Sequence, residues 1–231
     1  MRALGLRHYA PVFAAMKSRV DSDPEHSPDE IWALQHHPVY TQGQAGRAEH
    51  VLAAGDIPVV AADRGGQVTY HGPGQLIFYP LVRLRARGLD VRQLVSALEE
   101  SVIAWLAELG IAAATRPRAP GVYVDDAKIA SLGLRIRRGR SYHGLAVNVA
   151  MDLAPFARIN PCGYAGLRMT QVADLLPAAR IPGLDAAQRA LLDQLARRLG
   201  YTGWDYLGDA GIGSDGIDTV ATATEGASDE R

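Results

Sequence analysis

Two long stretches of the chain place apolar residues at the spacing of an amphipathic helix. The first helix begins after Asp90, a good N-cap, and ends at Gly110, a good helix end. Residues 185–199 predict a second helix, and residues 9–19 predict a shorter third one. The apolar stripe between Asp90 and Gly110 predicts a helix that packs on a sheet. The residues of this stripe are Val91, Leu94, Val95, Leu98, Val102, Leu106 and Leu109.

Apolar runs bounded by turn residues predict strands elsewhere in the chain. Residues 30–37, 57–63 and 74–84 each form such a run. Residues 121–148 form a meander, with turns at Asp125-Asp126 and at residues 137–140. Strands joined by turns this short are antiparallel.

Composition indicates one globular domain, which we place at residues 1–208. Residues 209–231 hold six acidic residues and one basic residue and lack Leu, Met and aromatic side chains, so we expect an acidic disordered tail. The mildly basic remainder does not suggest a nucleic-acid binder. No apolar run approaches the roughly 18 residues that span a bilayer. A single cysteine suits a reducing compartment, so we expect a cytoplasmic protein.

Residues 63–81 place four glycines and a proline between two apolar strands. Gly65 and Gly66 permit positive φ and a close approach of backbone to a ligand, and residues 72–74 form a second tight turn. This pattern fits either a ligand-binding loop or a purely structural hairpin. Between the turns, Gln67, Thr69 and His71 alternate with Val68 and Tyr70. The three polar side chains would therefore share one face of a short strand.

The only cysteine of the chain, Cys162, is bracketed by Pro161 and Gly163. This context predicts a sharp, exposed turn in preference to a core strand. Lys128 lies inside an apolar strand, where it is either a functional cation or an edge-strand lysine that discourages aggregation.

The histidines do not suggest a metal site. His36-His37 lacks a partner on the same face at metal-ligand spacing, so no metal is expected. His143, in the last strand of the meander, is interpreted as a structural histidine.

Four separate blocks resemble one known family in their order and spacing: "RGGQVTYHGPGQ", "GVYV…KIASLGLRI", "HGLAVNV" and "RINPCGYAGL". They are similar to the octanoyl-[acyl-carrier-protein]:protein N-octanoyltransferases of lipoate biosynthesis, over roughly residues 28–175. The resemblance implies an α+β fold with a mixed, largely antiparallel sheet flanked by helices, similar to the catalytic domain of biotin and lipoate protein ligases.

The resemblance also implies a reaction and its residues. An octanoyl group would pass from acyl carrier protein, through a thioester on Cys162 tuned by Lys128, to a specific lysine of a lipoyl-domain protein. The implied substrate-binding residues are Arg64, Gly65, Gly66, Gln67, Val68, Thr69, Tyr70, His71, Ser131, Leu132, Gly133, Gly144, Leu145 and Ala146.

The implied partners follow from that reaction. They are acyl carrier protein, the lipoyl domains of 2-oxoacid dehydrogenase complexes and the glycine cleavage H protein. The acyl donor is octanoyl-phosphopantetheine on the carrier, so no separate cofactor is expected. No nucleic-acid or membrane partner is expected, and the protein is expected to be a monomer.

Such chemistry requires a close cation. An ordinary thiol is mostly protonated at neutral pH, whereas the thiolate is the attacking species. An ammonium about 4 Å away contributes a Coulomb energy of about 4 kcal/mol at an effective dielectric constant of about 20. Desolvation disfavours both charges, so Lys128 is effective only if it lies beside Cys162.

Two assignments stay open at this point. Protons would be moved by His71 or by Lys128. The oxyanion would be stabilised by backbone N–H groups near Gly65-Gly66 or near Gly133.

Two other functions fit parts of the same pattern. An ATP-dependent lipoate or biotin ligase would share the fold, but only Arg64 precedes the glycine pair, where lipoate ligases tend to carry two arginines. A non-catalytic module that binds the carrier would leave Cys162 unacylated. The tip of one predicted hairpin carries four arginines: Arg135, Arg137, Arg138 and Arg140. This tip is either solvated or a docking site for an acidic carrier protein.

Overall fold

A computed structural model describes residues 1–22 and 27–205. The acidic tail expected at residues 209–231 lies outside the described residues. The described strands are β1 Arg2–Arg7, β2 Glu30–His36, β3 Val39–Gln42, β4 Val59–Ala61, β5 Val68–His71, β6 Gln75–Leu81, β7 Ala114–Arg116, β8 Ala119–Val124, β9 Ala127–Arg137 and β10 Arg140–Asn148. The described helices are α1 Tyr9–Ser22, α2 Val91–Glu108, α3 Val172–Leu175 and α4 Leu184–Arg198.

The strands form two sheets. Seven make the main sheet in the order β1-β2-β6-β10-β9-β8-β7, and three make a small sheet in the order β4-β3-β5. In the main sheet β1 pairs with β2 in parallel, and the other neighbours pair antiparallel. The mixed, largely antiparallel sheet flanked by helices is thereby confirmed.

Helices cover both faces of the main sheet, and β6 shows how the two cores are divided. Leu76 and Phe78 pack into the cluster that contains the apolar stripe of α4 and most of the stripe of α2. The predicted stripe of α2 is too long by Val91 and Val95, which line a cavity and are not in this cluster. Ile77 and Tyr79 point the other way, into the cluster formed with α1. Because both faces of β6 are buried, its sequence is an almost continuous apolar run without polar alternation.

Several element boundaries differ from the sequence predictions. Helix α1 continues to Ser22, and the strand predicted at residues 57–63 is reduced to the three residues of β4. Neither β1 nor β3 was predicted. The register of β1 shifts between Ala3 and Gly5, and Gly5 has a φ of 65°, so the two-residue alternation that would reveal a strand is broken.

The hairpin between β9 and β10 is not a uniform basic surface. Arg140 has no exposed surface, and its guanidinium donates to the backbone carbonyls of Ser27, Pro28 and Leu81. A side chain buried in this way cannot dock an acidic partner, which corrects the interpretation of the four-arginine tip. None of the helices formed by the described residues is long and apolar enough to cross a membrane.

Candidate active site

A cavity of about 390 Å³ lies between the small sheet and strands β9 and β10 of the main sheet. The structure brings Cys162, Lys128 and all but one of the predicted substrate-binding residues into its wall. The exception is Tyr70, which does not line the cavity and packs instead against Tyr40 and Phe156. The loop after β4, the middle of β9 and the middle of β10 thus converge on one space.

Cys162 and Lys128 are in direct contact within this wall. The Nζ atom of Lys128 lies 3.2 Å from the Sγ atom of Cys162 and donates a second hydrogen bond of 2.8 Å to the Pro120 carbonyl. Lys128 is buried on β9, between β8 and β10, so it is not an edge-strand lysine. The closeness that the chemistry requires is therefore present.

The turn predicted around the cysteine is present and sharp. Cys162 adopts a left-handed conformation, with φ 56° and ψ 16°, and Gly163 follows with φ 79°. The Gly163 amide donates to the Asn160 carbonyl and the Tyr164 amide to the Pro161 carbonyl. A left-handed non-glycine residue costs about 1–3 kcal/mol and is found where the surroundings hold it for a function.

Backbone pairing ties this turn to β9. The Lys128 amide donates to the Arg168 carbonyl, and the Thr170 amide donates to the Lys128 carbonyl. These two bonds fix the segment that follows the cysteine turn against the strand that carries the lysine. The position of Lys128 beside Cys162 therefore does not depend on side-chain contacts alone.

A glycine on β8 makes room for the lysine side chain. Gly121 has a φ of 136°, and a Cβ atom there would lie 2.3 Å from Cε of Lys128 and 3.0 Å from its Nζ. Only glycine is therefore compatible with the observed course of Lys128, a requirement that sequence reasoning did not identify.

Arg64 carries a buried positive charge at the edge of the cavity. Its Nη2 atom donates to both the hydroxyl and the carbonyl oxygen of Thr41, its Nε atom to the same hydroxyl, and its Nη1 atom to the Gly65 carbonyl. Burial lowers the pKa of Arg64, and the groups that oppose this effect are Tyr9, Cys162 and Tyr79, none of them a carboxylate. Thr41 was not predicted as a site residue.

His71 lies behind Arg64, and both of its ring nitrogens are engaged. Nδ1 is 2.7 Å from Oε1 of Gln75, and Nε2 is 3.3 Å from the Thr41 hydroxyl. The Gln75 amide nitrogen donates to Asn148, so its oxygen must accept and His71 must carry the proton on Nδ1. Burial, followed by the neighbouring His36, lowers the pKa of His71 to about 3.

His71 is therefore neutral at any physiological pH and has no free nitrogen to exchange a proton with a substrate. This corrects the option of His71 as the proton carrier and leaves Lys128. The Gly65 amide donates to the Leu134 carbonyl at 2.9 Å, so it is not a free oxyanion donor either.

His143 has both a structural partner and a place in the cavity wall. Its Nε2 atom lies 2.9 Å from Asp63, which also accepts a hydrogen bond of 2.6 Å from the Tyr142 hydroxyl. Burial lowers the pKa of His143 to about 4, so the neutral ring donates its N–H to Asp63. The interpretation of His143 as a structural histidine explains this bond but did not predict that the residue lines the cavity.

Two polar atoms of the cavity wall have no hydrogen-bond partner among the described residues: the Tyr9 hydroxyl and Oε1 of Gln67. Burial raises the pKa of Tyr9, so its hydroxyl keeps its proton as a donor. Tyr9 gave no sequence signal, because a tyrosine that opens a helix usually belongs to the core.

The rest of the wall suits a chain of methylene groups. Ile77 contributes from β6, and Val91 and Val95 contribute from α2, while Tyr164 and Arg118 stand at the exposed rim. The cavity thus combines a largely apolar interior with a thiol and an ammonium group in its wall. Among residues 1–22 and 27–205 no group of three or more His, Cys, Asp or Glu side chains could hold a metal ion.

The fold is an α+β domain of the kind found in lipoate and biotin protein ligases. The sequence profile described as lipoyl protein ligase A/B catalytic domain matches residues 8–196. The chain is 58% identical over 200 residues to a protein of Chromohalobacter salexigens named octanoyltransferase, covering 87% of this chain and 90% of that protein. An octanoyltransferase of Serratia proteamaculans is 56% identical over 201 residues, with 87% and 89% covered. The chain belongs to the octanoyltransferase family.

Solved structures share the fold at low sequence identity. A putative lipoate protein ligase of T. acidophilum superposes with a TM-score of 0.71 at 17% identity, covering 90% of this chain and 89% of that one. The biotin protein ligase of Aquifex aeolicus in complex with biotin and ATP superposes with a TM-score of 0.55 at 15% identity, with 86% and 69% covered. These likenesses establish the architecture.

Proposed function

We propose that the protein transfers an octanoyl group from octanoyl-acyl-carrier-protein, through a thioester on Cys162, to a specific lysine of a lipoyl-domain protein. The observation that carries the proposal is the contact of 3.2 Å between Lys128 Nζ and Cys162 Sγ in the wall of an acyl-sized cavity. Octanoyl itself is inferred from the names of the relatives.

In the first half-reaction the Cys162 thiolate attacks the carbonyl carbon of the donor thioester. The new S–C bond forms as the carbonyl electron pair moves to oxygen, and the C–S bond to phosphopantetheine then breaks. The leaving thiolate takes a proton from the Lys128 ammonium, which lies within hydrogen-bond distance of the reacting sulfur. One thioester replaces another, so this step needs no nucleotide.

In the second half-reaction the amine of the acceptor lysine attacks the Cys162 thioester. The C–N bond forms, the C–S bond breaks, and neutral Lys128 takes the proton that the amine loses. The thiolate and ammonium are thereby restored, and the product is the more stable amide. Lys128 thus gives a proton in one half-reaction and accepts one in the other.

The proposal extends to cofactors and partners. The activated acyl group arrives on the carrier, so no metal or separate cofactor is invoked. The expected acceptors are lipoyl domains of 2-oxoacid dehydrogenase complexes and the glycine cleavage H protein. A methylene is worth about 0.8 kcal/mol, so apolar contact alone separates neighbouring acyl lengths by less than about tenfold.

Intact-mass spectrometry of the protein mixed with octanoyl-acyl-carrier-protein tests the proposal. We expect the gain of one octanoyl group without ATP, no gain for Cys162→Ser, and a slower gain for Lys128→Ala because the sulfur loses its cation. Lys17 is the other lysine of the chain, so Lys17→Ala is the matched control and should acylate at the wild-type rate.

Two outcomes would contradict the proposal. Acylation that requires ATP and free octanoic acid would indicate an adenylate-forming ligase. An unchanged mass with either donor would indicate a non-catalytic module.

A further inference from the structure

The strongest unexplained feature of the site is the guanidinium of Arg64. It is buried, yet no carboxylate of the described residues pairs with it. A buried charge without a counter-ion is costly. Arg140 also lacks a carboxylate partner, but backbone carbonyls hold it away from the cavity, whereas Arg64 lines the cavity wall. The lowering of its pKa by burial agrees with this isolation, and an arginine stays protonated nonetheless.

The hydrogen bonds of the guanidinium leave one donor free. An arginine has five N–H groups. Thr41 accepts from Nε and from both N–H groups of Nη2, and the Gly65 carbonyl accepts from Nη1. The second N–H of Nη1 is therefore the donor that remains for a ligand in the cavity that Arg64 lines.

Three glycines lie close to this atom. A Cβ atom would lie 2.8 Å from Nη1 at Gly43, 3.6 Å from it at Gly66 and 3.5 Å from it at Gly133. Each belongs to a different segment: Gly43 follows β3, Gly66 lies in the loop before β5, and Gly133 is on β9. A side chain at Gly43 would displace Nη1, whereas a Cβ atom at Gly66 or Gly133 would only contact it, and Thr41 holds the rest of the fork.

The orientation of the Thr41 hydroxyl is set by His71. Because His71 carries its proton on Nδ1, its Nε2 atom accepts the hydroxyl proton of Thr41 at 3.3 Å. The lone pairs of the Thr41 oxygen are then left for Nε and Nη2 of Arg64. A neutral, fixed tautomer of His71 is the condition for this arrangement.

We propose that the free Nη1 donor of Arg64 binds the carbonyl oxygen of the acyl group and stabilises the oxyanion in both half-reactions, with Thr41 and His71 as positioning residues. The inference rests on the proposed function. When the Cys162 sulfur attacks, the carbonyl electron pair moves to oxygen, and that oxygen keeps its hydrogen bond to Arg64. The pair returns as the C–S bond to the leaving group breaks, so the guanidinium neither gains nor loses a proton.

The test measures the rate of Cys162 acylation by octanoyl-acyl-carrier-protein for two variants at Thr41. Thr41→Val removes the hydroxyl and keeps the shape of the side chain. A misplaced oxyanion donor should lower the maximal acylation rate by about 10²-fold, with the half-saturating donor concentration little changed. Thr41→Ser keeps the hydroxyl and should restore the rate. Alkylation of Cys162 by iodoacetamide, which needs no oxyanion donor, should be the same in all three proteins.

Two variants at His71 give a second test that leaves Thr41 and Arg64 intact. The amide of His71→Gln reaches the position of Nε2 and can still accept from Thr41, so it should keep most of the activity. The amide of His71→Asn reaches only the position of Nδ1. This variant should have a lower maximal acylation rate, again with the half-saturating donor concentration little changed. Equal rates for this pair, or a wild-type rate for Thr41→Val, would overturn the inference while the proposed function stands.

Failure of the proposed function itself has a different signature. Wild-type protein would then remain unacylated, and both ideas would fall together. A Thr41→Val protein that loses iodoacetamide reactivity together with acylation would also count against the inference, because the hydroxyl would then support the nucleophile and not the carbonyl oxygen.

Discussion

At the scale of single residues, the site depends on several groups whose importance could not be predicted from the sequence. The pairing of Lys128 with Cys162 was implied by a resemblance, since the residues lie far apart in sequence and only the folded meander brings them to 3.2 Å. Thr41 and Gly121 gave no signal because their importance lies in contacts with Arg64 and Lys128. A hydroxyl that orients a guanidinium looks, in sequence, like any threonine of a strand.

Replacement of Gly121 by alanine tests the space around the lysine. The new Cβ would collide with Lys128 and, at 2.5 Å, with the Ala130 carbonyl oxygen of β9, at a backbone φ of 136°. We therefore expect β8 to shift against β9 and Lys128 to move away from Cys162, so that acylation at pH 7 slows more than tenfold. Gly139 is the matched control, because its φ is 76° and a Cβ atom there would meet no atom within 4 Å beyond its chain neighbours. Gly139→Ala should lose about 1 kcal/mol of stability and keep its activity. Equal activity of the two variants would show that Lys128 can still reach Cys162 when a methyl group is added at position 121, contrary to this prediction.

At the scale of elements, prediction succeeds where the determinants are local. The span from Asp90 to Gly110 was predicted correctly because a cap, a periodic stripe and a terminal glycine all lie within it. The meander was recognised from its turns. Strand β1 was missed because it is a parallel edge strand with a bulge at Gly5, and its pairing with β2 is not encoded in its own alternation. The small sheet was missed in part because β3 has only four residues.

The N-terminus of α2 offers a test at this scale. The Asp90 carboxylate accepts from the Gln93 amide at 2.8 Å, and the Gln93 side chain accepts from the Asp90 amide at 2.7 Å. Asp90→Ala removes the carboxylate that accepts from the Gln93 amide, while the backbone amide at position 90 can still donate to the Gln93 side chain. The substitution should lower the free energy of unfolding by about 1 kcal/mol in urea titrations, whereas Asp90→Asn should lose less. A loss of several kcal/mol would mean that the helix start also holds Val91 and the cavity rim.

At the scale of the whole molecule, the cavity lies over a layer of buried polar groups that connects the two sheets. His71 and Gln75 join the small sheet to Asn148 on β10, and Asn148 donates to the Thr170 carbonyl behind the cysteine turn. Composition and periodicity predict how many apolar residues a chain can bury, but not that a row of polar side chains will be buried with them. That row belongs to the long-range topology, which only the assembled sheets define.

Buried histidines make stability depend on pH in a defined window. Burial lowers the pKa of His36 and His143 to about 4 and that of His71 to about 3, all below the ordinary value of 6.5. Between pH 6.5 and these lowered values, the unfolded chain binds more protons than the folded one. The contribution of these histidines to the free energy of unfolding is therefore fully present above pH 6.5 and is lost as the pH falls. Glu30, whose pKa of about 2 is held low by Arg2, Trp32 and Arg19 against burial, adds to the loss only below pH 4.5.

Urea unfolding between pH 6.5 and pH 5 therefore reports on the histidines, opposed by Glu99, whose pKa is raised by burial. We expect each histidine to contribute a loss of about 1.4 kcal/mol per pH unit well below its unfolded pKa. His71→Gln keeps the hydrogen bond to Thr41 but removes one titrating ring, so its stability should fall by about a third less over this range. A slope that does not change in His71→Gln would mean that His71 takes up a proton in the folded protein. A charged His71 would donate from Nε2 to the Thr41 hydroxyl, turning that hydroxyl away from its role as an acceptor for Arg64.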